Sequence, residues 1–70
     1  MEVTYDKKTD AAYIYLFRPT KKVEVKRTIP AGPHITLDYD AKDKLIGIEI
    51  LSASKVVTKK AVSGLIEAST

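Results

Sequence analysis

Ala12-Tyr13-Ile14-Tyr15-Leu16-Phe17 is the stretch that decides the fold. It is rich in aromatic and aliphatic side chains that suit a pleated surface. Strict alternation puts Ala12, Ile14 and Leu16 on one face and Tyr13, Tyr15 and Phe17 on the other. Both faces are apolar, which predicts a strand that is central or covered on both faces. Upstream, Glu2 to Tyr5 alternates with Val3 and Tyr5 together, and Asp6-Lys7-Lys8-Thr9-Asp10 supplies turn residues between two strands. Downstream, Pro19 cannot donate to a ladder and ends the strand. A basic strand is then expected, with Val23 and Val25 opposite Lys22, Glu24 and Lys26.

Pro30-Ala31-Gly32-Pro33 is a rigid break, after which Ile35, Leu37 and Tyr39 alternate with His34, Thr36 and Asp38. Asp40-Ala41-Lys42-Asp43-Lys44 turns the chain into Leu45 to Leu51, where Ile46, Ile48 and Ile50 form an aliphatic stripe. These two strands read as a hairpin. Beyond Leu51 the apolar residues Ala53, Val56, Val57, Ala61, Leu65 and Ile66 recur at three- and four-residue steps, the spacing of a helix face. Ser52 is the expected N-cap, with Thr58 the alternative if the region splits into a short turn and a helix from about Lys59. Ile48 is expected to face this helix with Val57 and Leu65.

The predicted architecture is α+β: an antiparallel β-sheet of four to five strands with one C-terminal helix packed on one face. Strands are expected over about 2–5, 12–18, 22–28, 34–39 and 45–51, and the helix over about 53–67, in a single small domain spanning 1–70.

Size limits what such a domain can bury. Seventy residues remove only about 60% of the unfolded chain's surface from water. Apolar residues make up 44% of the chain and charged residues 30%, a globular balance. Without cysteine there is neither a disulfide framework nor a thiolate metal site to supplement the core, so packing, and a partner subunit, must supply stability. The longest apolar run, Ala11 to Phe17, is far shorter than the roughly 20 residues of a membrane helix. No signal-peptide pattern is present, so the cytoplasm is the expected compartment and no membrane association is expected. Asn and Gln are absent while Lys, Ile and Val abound, a bias expected of a thermophilic source.

Tyr5-Asp6, Asp10-Ala11-Ala12-Tyr13-Ile14-Tyr15-Leu16, Leu37-Asp38-Tyr39-Asp40 and Leu45-Ile46-Gly47-Ile48-Glu49-Ile50-Leu51, followed by Ala53-Ser54-Lys55, together resemble the family catalogued as domain of unknown function 2283. The resemblance runs from about Tyr5 to Lys55, and the aliphatic-Gly-Ile-Glu-Ile-Leu block is its most specific part. The basic middle segment and Pro33-His34 after Gly32 depart from the family's pattern. The resemblance implies a compact β-sheet domain without an established activity. It also implies a gene encoded beside a small ribonuclease-like toxin, hence an antitoxin-like role.

The residues themselves offer few chemical constellations. Asp38, Asp40 and Asp43 lack the glycine and closing Glu of a calcium loop, so all three are expected to serve turns, as are Asp6 and Asp10. His34, the only histidine, would share a face with Thr36 and Asp38; without a Cys or a serine motif nearby, a strand-surface role is expected over a general base. Gly47, inside a strand, is expected to mark a bulge or close packing against a large side chain.

More distinctive is the run from Arg18 to Arg27, whose Arg18, Lys21, Lys22, Lys26 and Arg27 outnumber the single Glu24, with Tyr13, Tyr15 and Phe17 just before it. Stacked bases and held phosphates are one use for such a surface. The other is an edge strand guarded by lysine beside an aromatic face that a dimer buries. A net charge of only +3 favours the second. The expected function is therefore a non-enzymatic protein-interaction domain, homodimeric or gripping a small protein partner, with no cofactor. Nucleic-acid binding through the basic strand and aromatic face is the alternative, and a hydrolase or metal-dependent site around His34 and Asp38 ranks last.

Overall fold

The computed structural model describes residues 1–17 and 24–70. Five strands, β1 (Glu2–Asp6), β2 (Ala11–Tyr15), β3 (Arg27–Pro30), β4 (Ile35–Tyr39) and β5 (Leu45–Ile50), precede two helices, α1 (Ala53–Val56) and α2 (Lys59–Ala68). The strands form one sheet in the order β1-β2-β5-β4-β3, and every neighbouring pair is antiparallel. The β1–β2 hairpin and the β3–β4–β5 meander are thus joined through β2 and β5. The expected α+β class is what the chain adopts, and the stretch around Tyr13 is an interior strand, paired on both sides.

Register places one kind of side chain on each face. Val3 lies opposite Ile14, Ile14 opposite Ile48, Ile48 opposite Leu37 and Leu37 opposite Ile29, so an aliphatic row crosses all five strands. Beside it, Tyr5, Ala12, Ile50 and Ile35 form a second row. The helices lie on this side. Ala12, Ile50 and Ala53 are the buried core, with Ile14, Ile35, Ile48, Val56, Val57 and Leu65 packed against them. The expectation that Ile48 faces the helical layer with Val57 and Leu65 holds.

Three boundaries differ from those read in the sequence. The third strand, expected over 22–28, lies at Arg27–Pro30; Lys22 and Val23 fall outside the described residues, and Glu24 to Lys26 are not in a strand. Val25 is exposed and outside any strand. Register is instead set by Ile29, which matches Leu37 across the hairpin. The second strand stops at Tyr15, with one further backbone bond from Leu16 N–H to the Ile46 carbonyl. The helix is broken at Val57-Thr58, the alternative reading. Thr58 Oγ1 accepts from the Ala61 amide at 3.1 Å and caps α2.

Ser52 is not a side-chain cap. It sits in the left-handed region, with φ of 53°, and its hydroxyl accepts nothing from α1. The start of α1 is bound instead by Asp10, far earlier in the chain: the Asp10 carbonyl accepts from the Ala53 amide at 2.8 Å, and both Asp10 carboxylate oxygens lie 3.1 Å from the Ser54 amide. Among the described residues, no helix is long and apolar enough to cross a membrane.

Candidate functional site

The face opposite the helices carries Thr4, Tyr13, Tyr15, Thr28, Thr36, Asp38, Gly47 and Glu49, as the pairings of Tyr13 with Glu49, Tyr15 with Gly47, Gly47 with Asp38 and Asp38 with Thr28 require. Tyr13 is its centre. Its ring lies across Gly47, where a Cβ would collide with the phenol end of the tyrosine. Close packing against a large side chain is therefore why a glycine stands in this strand. The Tyr13 hydroxyl donates to Asp38 Oδ2 at 2.5 Å, and Thr28 Oγ1 donates to Asp38 Oδ1 at 2.7 Å. Asp38, only 9% exposed, is a strand residue that ties β2 to β3 and β4, not the turn residue expected. Charge and burial act together here. Burial first, and then the hydrogen bond to Asp38, push the Tyr13 phenol well above the ordinary tyrosine range.

Tyr15 packs beside Tyr13, with ring centroids 4.6 Å apart and planes tilted by 54°. Phe17 follows the strand and is half-buried. Tyr13 and Tyr15 thus share one side of the sheet, and Tyr13 is fastened down inside the fold. A shallow cleft of about 320 Å³ opens next to it among Thr4, Thr9, Ala11, Tyr13 and Glu49. Thr36 and Glu49 meet loosely across the strands at 3.4 Å.

Of the basic residues named between Arg18 and Arg27, the structure describes Lys26 and Arg27. Arg18, Lys21 and Lys22 lie outside the described residues. Lys26 is bridged to Glu24 at 3.2 Å, and Arg27 to Asp43 at 3.0 Å, with its guanidinium 5.0 Å from the Tyr39 ring centre. Asp43 therefore has a charge partner besides its place in the turn. Asp40 is a turn residue as expected: its Oδ1 accepts from the amides of Lys42 and Lys44, the Lys44 bond chiefly holding its carboxyl below the usual range. Asp6 likewise accepts from the Lys8 and Thr9 amides.

Asp10 does more than turn the chain. Besides its bonds to the start of α1, its carboxylate accepts from the Ser54 hydroxyl at 2.6 Å and the Tyr5 hydroxyl at 2.7 Å. The Ser54 bond first, and the Tyr5 bond next, hold the Asp10 carboxyl below the usual range. No short-range pattern announces this contact, because its two halves are 44 residues apart. His34 is exposed in the bend before β4, where its backbone carbonyl accepts from the Leu51 amide. Among the described residues, no three His, Cys, Asp or Glu side chains gather as metal ligands would.

The family described as a protein of unknown function, DUF2283, matches residues 2–54. The chain belongs to the DUF2283 family. The matched segment contains the whole sheet and ends at Ser54, the residue that Asp10 holds, so α2 lies beyond it. No curated protein and no solved structure matches the chain.

Proposed function

We propose that this DUF2283 chain is a non-enzymatic protein-interaction domain whose first partner is a second copy of itself. The observation that carries this reading is how little apolar surface one chain removes from water. Among the described residues, only Ala12, Ile50 and Ala53 are buried apolar side chains. A two-layer domain normally buries one full sheet face, yet Val3, Ile14, Ile48, Leu37 and Ile29 all stay part-exposed. An antitoxin-like role, in which the same domain grips a small toxin, is the heteromeric form of this reading.

The charge pairs weigh against the nucleic-acid alternative. Lys26 and Arg27 each have a carboxylate at 3.2 Å or closer, and phosphate contact would have to displace it. Light scattering on the purified chain at high micromolar concentration tests the reading. A mass twice 7.7 kDa is expected, and a monomer mass would contradict it.

A further inference from the structure

Independently of any partner, we propose that α2 is a strap that lifts off the sheet and unfolds as a unit, hinged at Val57-Thr58, while the sheet and α1 stay folded. Its attachment is narrow. None of its ten residues is buried, and only Val62 and Leu65 are part-buried. Leu65 alone of the helix packs against the core of Ala12, Ile50 and Ala53, and the neighbouring Ile66 is 41% exposed. The helix rests chiefly on β1, an edge strand, and touches α1 only briefly. α1 is held differently. Its Ala53 is fully buried, and Asp10 accepts from the Ala53 and Ser54 amides and from the Ser54 hydroxyl.

The helix also does little to hold itself together. Lys59 and Lys60 open it at the positive end of the helix dipole, where no acidic residue stands, and Glu67 lies in the last turn, at the negative end, with no basic residue beside it. Each charge thus sits at the end that disfavours it. Gly64 stands mid-helix, where glycine costs more than any residue but proline. A Cβ there would meet nothing within 4 Å, so no close approach demands the glycine. Ten residues are also too few for a helix that is stable in water on its own. Once Leu65 leaves the core, the whole segment should therefore melt. The melting stops at Val57, whose extended backbone already separates α1 from α2. The matched family segment, residues 2–54, ends just before this hinge. Opening uncovers the helix side of β1, the side of Val3 and Tyr5, and leaves the sheet's own pairing intact.

Native-state hydrogen exchange on the whole chain, followed residue by residue by NMR at rising sub-denaturing urea, tests this. The amides of Val62 to Glu67 should exchange as a group, with protection roughly 100-fold below that of the interior strands β2 and β5. Their urea dependence should be shallower, because less surface is exposed when α2 alone opens. The same protection and the same urea slope in helix and strands would overturn the proposal, since α2 would then open only in global unfolding. Tyr13→Phe separates the two cases a second way. The hydrogen bond it removes lies in the sheet, so strand protection should fall by roughly 5- to 150-fold while α2 protection stays unchanged. A parallel fall in α2 would overturn the proposal. Gly64→Ala should raise α2 protection about fivefold, and an unchanged value would overturn the looseness assigned to this helix.

Discussion

Asp10 shows how much of the structure one side chain can hold. Its backbone turns through the left-handed region, with φ of 55°, and so aims both its carbonyl and its carboxylate at the start of α1. Because the folded carboxyl is held below its ordinary range, its contribution is present above the unfolded value of about 3.9 and is lost as pH falls through the lower folded value. The gap in urea midpoint between wild type and Asp10→Asn should therefore be widest near neutrality and close on acidification; a gap independent of pH would show that the carboxylate charge does not matter. Tyr13 makes a second residue-scale case. Tyr13→Phe keeps the ring over Gly47 but leaves buried Asp38 with Thr28 alone, and should cost about 1–3 kcal/mol in chemical denaturation. A cost no larger than that of a surface substitution such as Lys42→Ala would contradict the role given to this hydroxyl. The sequence offered a bulge or close packing against a large side chain for Gly47, and the structure shows the packing, with a register shift beside it at Asp38/Tyr39. The sequence hid the identity of that side chain, which comes from another strand on the diagonal. It also hid Asp38, because an Asp near a turn looks like turn chemistry until register buries it.

Elements were legible where a local rule determines them. Alternation around Tyr13 and Ile48 located β2 and β5 to within a residue or so of their starts, and the Asp40 turn joined β4 to β5. Where two local rules competed, pairing decided. Ile29 opposite Leu37 sets the register, which places β3 toward Pro30, with Val25 outside it, and makes it a short edge strand ending in a residue that donates no ladder bond. The helical periodicity was read correctly across Ala53 to Ile66, but it cannot show that the backbone breaks at Val57, extended at φ −111° and ψ 165°. Thr58 restarts the helix by taking the Ala61 amide. Thr58→Ala should cost about 1 kcal/mol and lower the melting midpoint by roughly 4–8 °C in a domain of this size. Thr58→Ser should restore most of it. An unchanged midpoint in Thr58→Ala would mean that packing on β1, not the cap, sets the start of α2.

At the scale of the whole molecule, the described residues form a sheet whose helix side is only partly roofed. The sequence made a partner expected, since a strand with two apolar faces needs two covers. It pointed to the aromatic side because aromatic side chains carry the most area. The structure locks Tyr13 on that side and leaves Leu37 and Ile29 part-exposed on the other, a distinction that depends on where α2 lands and so on contacts no periodicity encodes. If a second copy completes the core, folding and association are one equilibrium, and stability must depend on protein concentration. The most direct measurement is urea denaturation at two protein concentrations a hundredfold apart. That ratio is worth about 2.7 kcal/mol to a folded dimer, which at an ordinary denaturant slope raises the midpoint by on the order of 1 M urea. Midpoints that coincide at the two concentrations would contradict the account and leave the chain a monomer that tolerates its part-exposed aliphatic row.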